Sequence, residues 1–403
     1  MKNNEPVEVK FELPFPMSEY QDRLRRLREG MSNAGIEVKI VTNPIDFYWL
    51  TGTRMRSDAE NPGWVIVPLD GEPIGVVRHL ECSTHKMSST LNRWYEFPDE
   101  GPVVPYDPVG CTVKALKDNK LDRKTIGMNY RVVSLNDFNR FKKLLPNMKI
   151  RDFRAEQIRI QKSKAEIEAQ AKANKANQDA LKDAIEEMQI GWTERQLYDC
   201  IVRNHEKHLG KDYEASLGMV MVGKKRVLQM HSVVWPGERT NKVEKNDIIY
   251  LEPGTTVKRY TGSMIRCVFM GDPPQIVRKT VDTAIEALNK AIDATAPGKT
   301  AHEVDKAARD HFKEMGVECQ GRIGYSIGLG AFPRHNWSEG WVMSIMPNNL
   351  QVMKPGHIFH YISLGYCPGW GYMGASEQVL VTEKGHEVLG DRQRTCERQL
   401  FVK

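Results

Sequence analysis

Up to about residue 155, short apolar runs alternate with amphipathic stretches. Residues 18–35 place apolar side chains at helical spacing, which predicts a helix capped by Ser18 and closed by Gly35. The apolar runs that predict strands lie at 38–43, 63–77, 124–129 and 147–153. The second run contains Asp70-Gly71, the chemistry of a hairpin turn. Helices that alternate with strands predict an α/β domain with a partly parallel sheet.

From Lys162 onward the pattern changes to long helices followed by groups of strands. Ser163 stands three residues before Glu166, the spacing of a capping box, and predicts the start of a long helix. Helices are predicted at 163–188, 192–210, 277–294 and 300–316, and strands at 215–223, 247–254, 261–271, 358–365 and 377–385. This order predicts an α+β domain with an internal repeat. We therefore predict two domains, 1–158 and 159–403.

The composition changes this picture little. Of the 403 residues, 40% are hydrophobic and 27% are charged, which is ordinary for a globular protein and excludes an intrinsically disordered chain. The formal net charge of +6 comes from 58 basic and 52 acidic residues. Because this excess is small and spread along the chain, it argues against a dedicated nucleic-acid-binding protein.

Cysteine spacing and the absence of long apolar stretches bear on the compartment. The seven cysteines are far apart and form no C-x-x-C pair, which favours reduced thiols over a disulfide framework or a thiolate zinc site. No stretch approaches the ~18 apolar residues that cross a bilayer. The first residues lack the apolar core of a secretory signal. We expect a cytoplasmic protein without membrane or nucleic-acid partners.

Five ordered segments resemble motifs of the creatinase/aminopeptidase P superfamily, also called M24, whose C-terminal domain has the pita-bread fold. They are RIQKSKAEIEAQAKAN, NDIIYLEPGTTVKRYTGSMIRCVFMG, GRIGYSIGLG, VMKPGHIFHYISLGY and GASEQVLVTEKG. The resemblance covers nearly the whole chain. It implies a creatinase-like α/β N-terminal domain followed by an α+β pita-bread catalytic domain, and it implies a homodimer.

The metal positions of the superfamily are mostly replaced in this chain. Metal-dependent members hold two metals with Asp, Asp, His, Glu and Glu, oxygen-rich ligation that suits Mn, Co or Fe. The matching positions are Glu252, Ser263, Tyr325, Ile362 and Glu377. Since Ser, Tyr and Ile cannot rebuild such a cage, we expect no catalytic metal and no other cofactor.

The remaining pattern resembles the metal-independent ectoine hydrolase and creatinase branch of the superfamily. That resemblance implies hydrolysis of an amide or amidine C–N bond in a small zwitterionic substrate. Glu252 would act as nucleophile or base, and a carboxylate in an otherwise apolar strand needs such a reason. His231 falls at the substrate-facing histidine and would be the acid/base. An exposed loop histidine and a structural glutamate are the alternatives.

Further candidates come from inherited positions and from aromatic residues. Tyr325 and Glu377 are predicted to point into the pocket as catalytic groups, with core packing as the alternative. Strand alternation places Arg266 opposite Ser263, which favours a structural salt bridge for this arginine. The predicted substrate-binding residues, several of which could hold a cation by cation–π attraction, are Trp235, Tyr260, Trp337, Trp341, His360 and Trp370.

Two other functions remain open from the sequence. The first is a lyase that cleaves dimethylsulfoniopropionate, or a similar onium carboxylate, to acrylate and dimethyl sulfide. The second is a pita-bread module that binds a partner without catalysis. Retention of His231 together with Glu252 and Glu377 argues against the binding module. The identity of the substrate does not follow from the sequence.

Overall fold

The computed structural model of the chain describes residues 12–53, 63–98, 107–228, 240–319, 321–330, 339–390 and 396–403. These residues divide into two compact units, the first ending at Arg159 and the second beginning at Ile160. No helix in these ranges is long and apolar enough to cross a membrane.

The N-terminal unit is a mixed sheet with helices, as the alternating pattern predicts. Its helices are α1 (Met17–Asn33), α2 (Pro44–Thr51), α3 (His79–Ser88), α4 (Pro108–Asp118), α5 (Leu135–Leu144) and α6 (Glu156–Arg159). Its strands are β1 (Val38–Val41), β2 (Trp64–Pro68), β3 (Ile74–Arg78), β4 (Arg93–Phe97), β5 (Ile126–Met128) and β6 (Ile150–Asp152). The strand order is β4-β3-β2-β1-β5-β6. Parallel pairs lie at both ends of the sheet and antiparallel pairs in its centre.

Two local predictions in this unit have different outcomes. The hairpin is confirmed, because β2 and β3 pair antiparallel and Gly71 adopts a positive φ of 96° between them. The prediction of Ser18 as the N-cap of the first helix was wrong. Pro16 occupies the cap position of α1 without a side-chain hydrogen bond, so Ser18 lies inside the helix. Proline tolerates a helix start because the first turn leaves its N–H groups unpaired in any case.

The C-terminal unit repeats a pattern of a helix pair followed by strands. Its helices are α7 (Lys164–Glu187), α8 (Glu194–Leu209), α9 (Lys224–Val227), α10 (Gln275–Asp293) and α11 (Ala301–Glu314), with a 3-10 turn at Gly210–Asp212. Its strands are β7 (Ser216–Val222), β8 (Ile248–Val257), β9 (Tyr260–Ser263), β10 (Arg266–Phe269), β11 (Gly324–Ser326), β12 (Ser344–Ile345), β13 (Ile358–Cys367), β14 (Gly371–Val381), β15 (His386–Val388) and β16 (Leu400–Val402). The predicted capping box of Ser163 and Glu166 begins α7.

Two sheets form the core of this unit, and helices cover the outer face of each. The first sheet has the order β16-β10-β8-β7, with β9 paired to β8, and the second has the order β12-β11-β13-β14-β15. Apolar side chains of α7 and α8 pack on the first sheet, and those of α10 and α11 pack on the second. This arrangement confirms the predicted α+β domain.

The inner faces of the two sheets share one buried cluster, which we call the inter-sheet cluster. Its residues are Met221, Val227, Ile248, Tyr250, Ile265, Cys267, Phe269, Val277, Val281, Tyr325, Ile362, Leu364, Cys367 and Met373. Strand alternation explains why the side chains of β8 divide between two buried clusters. Ile248 and Tyr250 point into this cluster, whereas Ile249 and Leu251 point towards α7 and α8.

Candidate active site

Glu252 lies on the inner face of β8, two residues after Tyr250. Because side chains alternate along a strand, Glu252 shares the face of Tyr250, which lies in the inter-sheet cluster. Only 5% of Glu252 is exposed. A carboxylate in such a position must be compensated or must remain protonated, since transfer from water to an apolar interior disfavours the charge.

The hydrogen bonding of Glu252 leaves it poised for proton transfer. The hydroxyl of Tyr250 donates to Oε2 of Glu252 over 3.1 Å. Burial raises the pKa of Glu252 to about 7, and the bond from Tyr250 opposes that rise by stabilising the carboxylate. A carboxyl group that is half ionised near neutral pH can take up a proton and return it, which is the requirement for general acid–base catalysis.

On the opposing sheet, three polar side chains form a buried chain. The hydroxyl of Tyr325 lies 3.0 Å from Nδ1 of His360, and Nε2 of His360 lies 2.7 Å from Oγ of Ser376. The backbone N–H of Ile265 donates to the same Ser376 oxygen. Burial lowers the pKa of His360 to about 3, so its ring is neutral at neutral pH. A neutral imidazole donates from one nitrogen and accepts at the other, and can therefore orient the Tyr325 hydroxyl.

The two halves of the site meet at Tyr250. Burial first, and then the Glu252 carboxylate, raise the pKa of Tyr250 well above its usual value, with a smaller contribution from Tyr325. Tyr325 is therefore close enough to Tyr250 for an electrostatic interaction. Ile265 and Ile362 belong to the same cluster and surround these groups with apolar surface. A carboxyl, two phenols and a neutral imidazole thus face a largely apolar interior.

The strand register corrects the predicted placement of Glu377. In the antiparallel pair of β13 and β14, Ser376 lies opposite Ile362, and Glu377 lies opposite Tyr361. Directly opposed residues point to the same face, and neighbours along a strand point to opposite faces. The side chain beside Ile362 and His360 is therefore Ser376. Tyr361 belongs to the cluster under α10 and α11, so Glu377 does not point into the inter-sheet cluster.

Glu377 instead forms a buried ion pair with Arg266. Nη2 of Arg266 lies 2.6 Å from Oε1 of Glu377, and Nε of Arg398 lies 3.8 Å from the same oxygen. The remaining N–H groups of Arg266 donate to backbone carbonyls, among them that of Ser376. The structural salt bridge predicted for Arg266 is confirmed, and its partner is the glutamate predicted to be catalytic.

The predicted aromatic residues have varied surroundings. The Tyr260 hydroxyl donates to Glu166, the capping-box residue of α7. Trp341 packs against the cluster beneath α10 and α11. Trp370 packs on the inter-sheet cluster, and Nζ of Lys224 already lies 4.8 Å from its ring centroid. His360 is the predicted substrate-binding residue that lies in the chain of polar groups described above.

Three predicted site residues, His231, Trp235 and Trp337, lie outside the described residues. Two residues of the site were missed by sequence reasoning. Tyr250 could have been found from strand alternation, since it stands two positions before Glu252. The last of the five motifs reads E-D-x-V-L-V-T-E-x-G in the superfamily. Aligning its V-L-V with residues 379–381 places Ser376 at the first of the two adjacent acidic positions, so Ser376 could have been found in this way.

Comparison with known families agrees with this architecture. The model of metallopeptidase family M24 matches residues 168–383, more than half of the chain, and the creatinase/prolidase N-terminal domain matches residues 23–161. The chain belongs to family M24. One similar protein is ectoine hydrolase from Halomonas elongata, which is 26% identical over 98% of this chain and 100% of the relative. Another is Xaa-Pro dipeptidase from Pyrococcus furiosus, which is 26% identical over 93% of this chain and 99% of the relative. This M24 protein is thus a hydrolase of the family.

Solved structures of the same fold cover nearly the whole M24 chain. Dipeptidase PepE from Mycobacterium ulcerans superposes with a TM-score of 0.80 at 23% identity, covering 96% of this chain and 99% of that one. The X-Pro aminopeptidase from Thermotoga maritima has a TM-score of 0.77 at 20% identity, covering 94% and 99%. At these identities the likeness shows the fold alone, and it confirms the predicted pita-bread domain.

The donor set of this M24 chain does not fit the two-metal centre that the family name implies. With the corrected register, the five positions hold Glu252, Ser263, Tyr325, Ile362 and Ser376, so one carboxylate stands where metal sites use four and a histidine. Within the described ranges, no three His, Cys, Asp or Glu side chains are grouped so as to hold a metal ion. Hard cations need several anionic oxygens, and this set offers one.

Tyr250→Phe is expected to move the acid limb of the kcat/KM profile to higher pH. Removal of the hydroxyl takes away the bond that stabilises the Glu252 carboxylate, so the pKa of Glu252 rises and the base form is lost at a higher pH. The check is a pH–rate profile between about pH 5 and about pH 9. Tyr361→Phe is the matched control, because its hydroxyl bonds Thr295 on the other side of the sheet. An unchanged acid limb in Tyr250→Phe would contradict the assignment of that limb to Glu252.

Proposed function

We propose that this protein is a metal-independent hydrolase that cleaves an amide or amidine C–N bond in a small zwitterionic substrate. The observation that carries the proposal is a buried carboxyl group, Glu252, at a former metal position whose companions can no longer hold metal. A hydrolase without metal-bound hydroxide needs a protein base or nucleophile. Glu252 is buried and its pKa is raised to about 7, which suits that role.

In the proposed reaction, Glu252 takes a proton from a water molecule while the water oxygen bonds to the electrophilic carbon. The C–N bond of the resulting tetrahedral species then breaks, and the leaving nitrogen takes up a proton. Glu252 can return the proton it received, or His231 can deliver one, as the resemblance to creatinase suggests. Direct attack by the Glu252 carboxylate, followed by hydrolysis of the acyl or amidino intermediate, is the covalent version.

Tyr325 is proposed to donate a hydrogen bond to the heteroatom on which charge develops. Its hydroxyl is held against neutral His360, which is itself bonded to Ser376. Donors that are fixed before the reaction cost no reorganisation when charge appears, and a water-poor site makes them more effective. In this proposal Tyr325 and Glu252 act on opposite sides of the reacting carbon, from opposite sheets.

The zwitterionic substrate class is supported by the relative that acts on ectoine, which is a cyclic amidine with a carboxylate. The N-terminal match to the creatinase/prolidase family is compatible with the same class. The homodimer and the cytoplasmic location inferred from the sequence stay predictions. The lyase stays an alternative, since a Tyr or Glu base could also abstract a proton from an onium carboxylate.

We expect purified protein to hold no stoichiometric Mn, Fe or Zn and to keep its activity after exhaustive chelation. The physical reason is the single carboxylate among the five positions. The measurements are elemental analysis per chain and an assay of ectoine, creatine, betaines, sulfoniopropionates and Xaa-Pro dipeptides, with products identified by mass spectrometry. One or two metal ions per chain, lost together with activity on chelation, would point to an unusual metallopeptidase. Release of acrylate would establish the lyase instead.

A further inference from the structure

Among the described residues, a cation without a carboxylate partner lies next to the proposed catalytic groups. Arg322 precedes β11, and its guanidinium carbon lies 4.3 Å from the ring centroid of Tyr325. Its one hydrogen bond within the described ranges is a long one of 3.4 Å from Nη1 to Oγ of Ser344. Arg322 is half-buried, and in this part of the chain it has no ion pair.

This arrangement differs from that of the other buried basic groups in the same unit. Lys162 is held by Glu339 at 2.8 Å, and Arg266 is held by Glu377 at 2.6 Å. Both cations therefore have a carboxylate from the protein. Within the described ranges, Arg322 uses one of its five N–H donors, and the others are available to a ligand.

In the part of the chain that the structure describes, the groups that interact with Arg322 supply no countercharge. Burial and then the charge of Arg322 lower the pKa of His360 to about 3, so His360 is neutral. Tyr325 is a neutral phenol. The Glu252 carboxyl group accepts a hydrogen bond from Tyr250, whereas the Arg322 guanidinium contacts the ring of Tyr325. The site thus has a proton-transfer group at one end and a cation at the other, with Tyr250 and Tyr325 between them.

We infer that Arg322 binds the carboxylate of the substrate and holds the electrophilic carbon towards Glu252, an inference that rests on the proposed function for the identity of the reacting end. The planar guanidinium matches a carboxylate with two parallel hydrogen bonds. A phosphate would carry about two charges and would call for further cations, whereas Lys162 and Arg266 already have partners. The cation–π contact of the guanidinium with the ring of Tyr325 restrains the position of Arg322 beside the proposed catalytic groups.

This inference makes Arg322 a determinant of specificity. A substrate must place a carboxylate at one end and a C–N bond at the other, and a neutral analogue must leave the guanidinium without its ligand. Arg322 orients the substrate and takes no part in bond making or breaking. The carboxylate therefore contributes to binding in both the ground state and the transition state, so its loss raises KM more than it lowers kcat.

The test measures binding without turnover. Ectoine and its carboxamide are titrated calorimetrically into Glu252→Gln protein, with and without Arg322→Gln. We expect Arg322→Gln to weaken ectoine binding at least about 30-fold, the scale for one charge-assisted partner removed, and to leave carboxamide binding within about threefold. Arg322→Lys keeps the positive charge but loses the paired N–H donors of the guanidinium, and it should restore part of the affinity. Arg278→Gln, which removes an exposed pair with Asp272, is the control and should change nothing.

Four results would overturn the inference. They are unchanged ectoine affinity in Arg322→Gln, an equal loss for ectoine and its carboxamide, a loss of thermal stability that accounts for the weaker binding, or failure of the parent protein to bind ectoine or any other carboxylate of the assay panel. The proposed function fails separately, if carboxylates bind through Arg322 but no C–N bond is cleaved. The two outcomes are therefore distinguishable.

Discussion

Glu252→Gln is expected to lower turnover by about 100-fold or more while leaving the fold intact. The amide keeps the shape of the side chain and can still accept from Tyr250, whose hydroxyl lies 3.1 Å from Oε2 in the native protein. It cannot take a proton from water or attack a carbon. The measurement is kcat on the substrate that the assay panel identifies, with secondary structure and thermal unfolding compared at the same pH.

The same substitution is expected to stabilise the protein at alkaline pH. The pKa of Glu252 rises from 4.5 to about 7 on folding, so between these values the folded state holds more protons than the unfolded state. Wild-type stability therefore falls as pH rises through this window and is lower by roughly 3 kcal/mol above it, at about 1.4 kcal/mol per pKa unit. Glu252→Gln has no such charge. Its melting temperature should exceed that of the wild type at about pH 8 and equal it near pH 4.5.

The control for both effects is Glu383→Gln, which makes the same chemical change at an exposed position. We expect wild-type turnover and wild-type pH dependence of stability from this variant. If Glu252→Gln turns over at the wild-type rate, Glu252 is structural and the proposed mechanism fails. If activity falls but the stability difference is the same at both pH values, the buried carboxyl group is not protonated on folding in the way its burial implies.

Arg266→Met is expected to destabilise the C-terminal unit by about 3–5 kcal/mol, the usual consequence of leaving one charge of a buried pair alone. The guanidinium is fully buried and lies 2.6 Å from Oε1 of Glu377. It also donates to the carbonyls of Ile265, Ser376, Cys396 and Glu397, which would lose their donor. The measurement is the midpoint of urea unfolding, monitored by a probe within this unit.

A double-mutant cycle separates the ion pair from the carbonyl contacts. Glu377→Gln alone removes the charge but leaves Arg266 its four carbonyls, and Arg266→Met with Glu377→Gln should be more stable than the sum of the single changes implies. At a temperature where the variants are folded, Glu377→Gln should retain turnover, because its side chain faces away from the inter-sheet cluster. Wild-type stability together with a large loss of turnover in Glu377→Gln would instead restore the catalytic role expected from the motif.

Membership of family M24 and the loss of its donor set have different consequences. The backbone plan of two helix-covered sheets is retained over the matched residues. The donors are individual side chains on the facing strands, and they can be replaced without changing that plan. The fold is therefore shared over the matched residues, whereas the proposed chemistry depends on Glu252, Tyr325 and their neighbours.

The sequence by itself determined the five longest helices, the strands around the candidate site and the family. Long amphipathic periods and capping boxes act locally, and the box of Ser163 and Glu166 starts α7 as predicted. The sequence also singled out Glu252, because one carboxylate in an apolar strand is unusual enough to be noticed without knowing its neighbours. Such signals do not depend on contacts between distant segments.

The tertiary structure alone decided which side chains share the site. A shift of one residue in a strand reverses its face, and the pairing of β14 with β13 placed Ser376, and not Glu377, opposite Ile362. Partners far apart in the chain were equally invisible. Lys224 beside Trp370 and Arg266 beside Glu377 are defined by how strands and loops meet in space. Local propensity carries no information about such contacts, because they depend on the packing of two sheets whose strands come from separate halves of the repeat.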